Sequence, residues 1–286
     1  MGKASKVKSE VIEVRDLNDV IQVLKDVADM KYYALSTQKD HFLRFNESFA
    51  DFFRLIAFSK VRHPLVSNDY PGNAYLVVTT EQGFVGDLNT KVVTRAIQEK
   101  EKNPGAVFIT IGRRGVAKLE QFGHQSVKTF IDLEDQKHYE LALHVKDYLV
   151  EQIMMGKIGK ISVVYPWPKE FGVIKPRMIR LLPCEHVLRK KAELLESFKY
   201  VIEESDPMDM IGYMANIWLT SRLYEIFYDT ALAAAAAQTQ QLDNSATKMK
   251  KEVQLVRLKY RKAKRSDIDK SLREVFSAKM MAAAKG

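Results

Sequence analysis

The chain has 286 residues, 46% hydrophobic and 10% aromatic, so it can build a core; it reads as one large domain or as one domain carrying an appendage, and not as a disordered chain. A single cysteine, Cys184, rules out an intramolecular disulfide and a multi-cysteine zinc site and fits a reducing compartment, while the most apolar run, Ala231 to Ala237, is far short of the ~20 residues of a membrane span. The net charge of +9 implies an acidic partner, either nucleic acid or an acidic protein surface.

No apolar targeting segment follows the basic start MGKASKVKSE. From there to Pro64 the chain contains neither glycine nor proline after Gly2. Leu17, Ile21, Leu24, Ala28 and Leu35 recur at spacings of a helical stripe, with Asp16 as N-cap, and predict one helix from about residue 17 to about residue 59. The middle zone, 65 to 180, changes character. Apolar runs at Tyr75 to Thr80, Val107 to Ile111 and Ile161 to Val164 predict strands, and they alternate with helical patterns at Leu88 to Glu101, Gly115 to Phe122 and Tyr139 to Met155. This is a small α/β, Rossmann-like domain with a partly parallel sheet, entered through the turn residues Asn68 to Gly72. A helical connection over 181 to 210 leads to the last zone, 211 to 286, where Gly212 is the final breaker before Gly286.

A helix of about 70 residues would be roughly 100 Å long, twice the diameter of a globule of this chain length, so it must project. Its apolar residues Val253, Leu255, Val256, Leu258, Ile268, Leu272, Val275 and Phe276 need a companion, and the helix in 1 to 64 supplies one. The expected fold is therefore a long antiparallel coiled coil of the N- and C-terminal helices plus the α/β domain. The alternative is a turn at Asp243-Asn244-Ser245 that folds both segments back into a bundle.

The chemistry-bearing motifs are sparse. Gly83-Phe84-Val85-Gly86 and Gly112-Arg113-Arg114-Gly115 match neither the dinucleotide fingerprint nor a phosphate-binding P-loop, and read as turns. Cys184-Glu185-His186 offers too few ligands for a metal, no nucleophile elbow is present, and Asp132, Glu134 and Asp135 read as a solvated acidic turn. No catalytic, cofactor or metal residue is assigned. The strongest charge feature is Lys248 to Arg265, with nine basic residues and one acid, Glu252. It is a solvated helix face, a nucleic-acid-binding surface or a docking surface for an acidic protein; the interleaved apolar residues and the lack of an aromatic stacking platform favour the last.

The ordered segments together resemble the gamma subunit, the central rotor shaft of F-type ATP synthases. Tyr75 to Asn89 is similar to that family's D-R-G-L-C-G-G-L-N turn, keeping Gly83, Gly86, Leu88 and Asn89 and departing at Gln82, Val85 and Asp87. Val20 to Lys31 resembles its N-terminal segment, with Leu24 at a conspicuous methionine; Gly112 to Gly115, Asp206-Pro207, Asp243-Asn244 and Glu252 to Ala263 match further motifs in order. Where the family carries an arginine and methionines before the D-N pair, this chain has Gln238, Thr239 and Leu242, and Lys262 replaces a glutamine. The resemblance implies a non-catalytic shaft without cofactor, standing in a hexamer of alpha and beta subunits and meeting an epsilon-type subunit and a ring of c subunits. It assigns Leu24, Lys25, Arg261, Lys262, Arg265 and Ser266 to contact with beta and Phe276, Met280 and Met281 to the upper tip. It implies no nucleic acid, attachment to the membrane only through the complex and, with a start at Met1 lacking a presequence, the cytoplasmic face of a bacterial inner membrane.

Overall fold

The structure is a computed structural model, described over residues 3–56, 62–134, 137–170, 172–188 and 205–283. In chain order the elements are α1 (Lys3–Ile56), β1 (Asn73–Val78), α2 (Leu88–Lys102), β2 (Val107–Ile111), α3 (Arg113–Gln121), β3 (Ser126–Phe130), α4 (His138–Met154), β4 (Lys160–Glu170), β5 (Val173–Leu182), a short α5 (Glu185–Leu188) and α6 (Pro207–Ala283). The chain divides into two compact units, Met1–Ala28 with Thr239–Gly286, and Asp29–Gln238.

The larger unit is built on a five-stranded sheet in the order β3-β2-β1-β4-β5, whose first four strands are parallel while β5 returns antiparallel on β4. Side chains alternate across a strand, and each face has its own core. Leu76, Val78, Ile109, Ile111, Ile161 and Val163 meet α4 and the first turns of α6, with Phe53 of α1 packed among them. Tyr75, Val77, Phe108 and Val164 meet α2 and α3 on the opposite face. Helices on both faces of a parallel sheet are why its strands read as continuous apolar runs rather than alternating ones.

The three strands and three helices expected in the middle zone are present, most with ends displaced by no more than two residues; β4 instead runs six residues past the expected end at Val164, to Glu170. Two strands were not expected. β3 is a short edge strand with Val127, Lys128 and Thr129 exposed, and β5 carries Lys175, Arg177 and Arg180 among its apolar residues, so neither shows a buried run. The two long helices have 54 and 77 residues and are paired. α6 runs unbroken through Asp243-Asn244-Ser245, which removes the alternative of a turn there. α1 begins at Lys3, so Asp16 is an exposed mid-helix residue and caps nothing. The expected end of that helix near 59, part of the 181–210 connection and Asp135 lie outside the described residues.

Gly112 shows how the turn after β2 depends on its residue. Its φ is +98°, and an added Cβ would stand 2.6 Å from both the carbonyl oxygen and Oγ1 of Thr79. Its N–H donates to the Phe130 carbonyl at 2.9 Å, tying β2 to β3. Replacing it by alanine combines a disfavoured backbone with an overlap against a neighbouring strand. Gly112→Ala is expected to cost well over about 1 kcal/mol in urea unfolding of the isolated chain, and an unchanged midpoint would contradict this account of the turn.

Candidate functional site

In the smaller unit, α1 and α6 meet along two interlocking heptad series. Ala4, Val7, Val11, Val14, Asn18, Ile21, Lys25 and Ala28 are the more buried positions of α1, at spacings alternating between three and four. On α6 the same alternation picks out Thr239, Leu242, Ala246, Met249, Val253, Val256, Tyr260, Ala263 and Asp267. The cross-helix contacts fix the direction: Ala4 meets Asp267, Glu10 meets Lys259 and Lys25 meets Asp243, so one series ascends as the other descends. This is an antiparallel pair with coiled-coil spacing.

The stripe expected from sequence is therefore partly corrected. Ile21 and Ala28 face the seam, whereas Leu17 and Leu24 are 51% and 40% exposed. Similarly Val253 and Val256 lie on the α6 seam, but Leu255, Leu258, Ile268 and Leu272 each stay about half exposed. The cause is that both helices carry apolar residues on more than one face, and a period near 3.6 does not say which face meets which partner. The α1 terminus is capped from across the seam: the Ala4 N–H, one of the orphan donors of a first turn, donates to Asp267 Oδ2 at 2.9 Å.

The candidate contact residues fall on two kinds of position. Arg261, Lys262, Arg265 and Ser266 are exposed, as are the other basic residues between Lys248 and Arg265. Lys25 instead sits on the seam, its Nζ 3.7 Å from Asp243 Oδ1. Beyond Asp267 the seam stops, and every side chain from Ile268 to Met281 is exposed, Phe276, Met280 and Met281 among them at 67%, 75% and 70%.

The motif turn Gly83, Gly86, Leu88 and Asn89 lies in the larger unit, at the carboxyl ends of β1 and β2. Asn89 is buried; its Oδ1 accepts the Thr80 N–H at 3.0 Å and its Nδ2 donates to Thr80 Oγ1 at 3.0 Å, closing the loop on itself. Glu81 Oε1 accepts the N–H of Arg113 at 3.1 Å and of Asp132 at 3.2 Å, so a carboxylate of the chain itself occupies the N-terminus of α3, where an anion would bind. Arg113 Nη2 in turn reaches Asp132 Oδ1 at 2.8 Å. Open α/β sheets bind ligands where the strand order reverses, here between β1 and β4. Next to the turn, Val85 and Leu88 are buried against Ala234 of α6, with Ile174 and Ala237 beside them.

The reactive groups are equally quiet. Burial pushes the Cys184 thiol up to about 12 and the Tyr165 hydroxyl to about 12, leaving both protonated at neutral pH, and burial lowers the pKa of His63. Among the described residues no group of three His, Cys, Asp or Glu side chains could hold a metal ion, and no helix is long and apolar enough to cross a membrane.

A sequence model of the ATP synthase family matches residues 3–280. The chain belongs to the ATP synthase gamma chain family. It is 23% identical over 222 residues to the gamma chain of Pelotomaculum thermopropionicum, covering 77% of each, and 22% identical over 288 residues to that of Actinobacillus pleuropneumoniae serotype 3, covering 97% of this chain and 98% of the other. Its fold is similar to a chain of the Euglena gracilis mitochondrial ATP synthase in rotational state 3, with a TM-score of 0.67 at 18% identity over 99% of this chain and 96% of that one. A chain from the central stalk and c-ring of the Tetrahymena thermophila mitochondrial enzyme aligns at a TM-score of 0.60 and 15% identity, covering 79% and 99%.

As a gamma chain it is the central-stalk rotor subunit of an F-type ATP synthase, and not itself catalytic. Of the motif residues, Leu88, Asn89 and the Gly83 carbonyl take part in bonds and contacts that hold the β1–α2 loop. Sequence inspection missed Gln238, whose Nε2 donates to the Gly83 carbonyl at 2.8 Å; the signal available was its place among the departures from the family pattern. It also missed Asp267, visible only as one more seam position. The seam assignment yields a test. Val256→Asp puts a carboxylate at a fully buried position and is expected to lower the stability of the helix pair by several kcal/mol, about 2 or more, whereas Leu255→Asp is expected to change it by about 0.5 kcal/mol or less. Circular-dichroism melts of the isolated chain would show the two variants alike if the seam were misassigned.

Proposed function

We propose that this chain couples ion-driven rotation of a membrane ring to conformational change in catalytic beta subunits. In this reading segments 1–64 and 211–286 form the shaft, 65–180 the foot and 181–210 the connection between them. The shaft stands in the alternating alpha and beta hexamer; the foot meets an epsilon-type subunit and the c ring. The bacterial relatives favour a complex on the cytoplasmic face of a bacterial inner membrane.

The observation that carries the proposal is the division of α6 into a buried seam and an exposed basic surface. A shaft must hold itself together by one set of residues and push its partners with another. Val253, Val256 and Ala263 serve the first need, and Arg261, Lys262, Arg265 and Ser266, fully displayed, serve the second by meeting an acidic lever on beta. Leu24 offers an apolar contact from α1, while Lys25 acts through Asp243 by holding the seam at that level. Phe276, Met280 and Met281, all strongly exposed, form the tip that turns in an apolar collar.

Because the shaft presents a different side to each beta subunit, its angle biases each site toward a conformation of different nucleotide affinity, and nucleotide state biases the angle in return. The basic contacts are exposed and transient, so each is worth about 1 kcal/mol or less and is weakened by salt. Arg261→Ala or Lys262→Ala alone is expected to leave assembly and rotation intact. Replacing Arg261, Lys262 and Arg265 together is expected to reduce the coupling of rotation to ATP hydrolysis and to steepen its salt dependence, read by single-molecule rotation of the reconstituted complex at low and high salt. Unchanged torque in the triple variant would assign the drive to shape instead of charge.

The isolated chain, with Glu81 at the N-terminus of α3 and no phosphate-cradling loop, is expected neither to bind nor to hydrolyse ATP. Saturable micromolar binding in calorimetry would contradict the shaft reading.

A further inference from the structure

The part of α6 that packs on the sheet ends in a run of small side chains. Ala231 to Ala236 are all buried, and apart from Leu232 each projects only a methyl group. Such a surface packs closely, but dispersion and apolar burial are non-directional, so a smooth alanine cylinder offers little resistance to turning about its own axis. Earlier on the same helix Leu219, Leu223 and Phe227 lock it to the sheet; past the alanine run, a further hold against turning needs something that projects and is held in a fixed direction.

Gln238 follows that run and is the last residue of the larger unit. Its Nε2 donates to the Gly83 carbonyl at 2.8 Å, across 155 positions of sequence. The acceptor is well anchored. Thr80 and Asn89 close the base of its loop, Glu81 is held by the N–H groups of Arg113 and Asp132, and Val85 and Leu88 are seated on Ala234. Within the same loop Phe84 adopts a φ of +56°, a conformation rarely found for a bulky residue and one that persists only where neighbours impose it. A backbone carbonyl in so constrained a loop cannot follow the helix if the helix turns.

We infer that Gln238 is a positioning residue for torque: its amide fastens α6 to the β1–α2 loop, so that rotation of the sheet domain and of the shaft helix stay in phase. The inference rests on the rotor reading above and adds to it a point, beyond the packed turns of α6, where load crosses from loop to helix. It also gives a role to a residue at which this chain departs from the family pattern, since the side chain there must reach the Gly83 carbonyl and donate to it.

The test uses the assembled complex with Gln238→Leu, which keeps helix propensity and loses the donor, and Gln238→Glu, whose ionised carboxylate can only accept and faces a carbonyl. Gln238→Arg restores a donor of sufficient length. Both donor-free variants are expected to raise amide hydrogen exchange in residues 81–89 by about fivefold, the worth of one neutral hydrogen bond, with the global melting curve little changed. They are also expected to lower the ratio of ions pumped to ATP hydrolysed while the hydrolysis rate is kept, and Gln238→Arg is expected to recover that ratio. A pumping ratio equal to the wild type in both donor-free variants would overturn the inference even if loop exchange rose. So would a loss of pumping that Gln238→Arg fails to recover, since that is the mark of a packing defect. If instead the wild-type chain assembles with no coupling of ion flow to hydrolysis, the rotor reading itself fails, which separates the two outcomes. A donor-free variant that melts far below the wild type would identify Gln238 as a folding residue and also count against the inference.

Discussion

A helix of 77 residues cannot bury its apolar side chains against itself, and α6 solves this by changing partners along its length. Over its first turns it lies on the sheet, where Ile211, Ala215, Leu219, Leu223 and Phe227 are buried. Along the alanine run nearly every residue is buried. From Thr239 to Asp267 it has one partner, α1, and the burial contracts to a narrow seam. Past Asp267, among the described residues, its side chains are exposed through Met281. Each change is written in the composition: large apolar residues where a sheet covers the helix, small ones where neighbours close in, a two-in-seven pattern where one helix covers it, and a free surface at the end.

The seam is weaker than a typical coiled-coil core. Asn18, Lys25, Thr239 and Asp267 occupy seam positions, and several of the others are alanine or valine. Polar groups at such positions reduce stability and specify alignment. Asp267 shows this concretely, since its carboxylate accepts the Ala4 N–H and fixes the alignment of the two helices there, and Lys25 with Asp243 marks a second level. A pair held in register by a few directional contacts, with most of its charged surface left outward, is suited to being turned inside other subunits.

The α/β domain has a fold familiar from nucleotide binding, but its own side chains occupy positions where a ligand's anion would sit. A carboxylate, Glu81, sits at the N-terminus of α3, and Val85 and Leu88 of the β1–α2 loop pack against Ala234 of α6. The loop that elsewhere would cradle phosphate here grips its own helix. The same glycines that failed as a nucleotide motif are needed for another reason: Gly112 admits Thr79 at a distance no side chain would tolerate, and Gly86 takes a φ of +59° in the gripping loop.

Much of this was legible in the sequence. Two stretches without glycine or proline declared two long helices, and the length and apolar residues of the second called for a companion helix. The alternation in the middle zone declared a parallel sheet, because strands buried on both faces must be apolar throughout. The edge strands β3 and β5 were not legible, since a strand covered on one side or at its margin carries charges that break the pattern. Nor was the inward face of either long helix: Leu17, Leu24, Leu255 and Leu272 are as apolar as the residues that do pack, and local periodicity cannot tell a face that meets its own chain from one left for another. The Asp267 cap and the Gln238 bond join residues 263 and 155 positions apart. Sequence by itself thus determined the two long helices, the buried strands and helices between them and the family, because these follow from local pattern; tertiary structure decided the edge strands, which faces meet and which polar groups fasten them, because that depends on neighbours brought close only by folding.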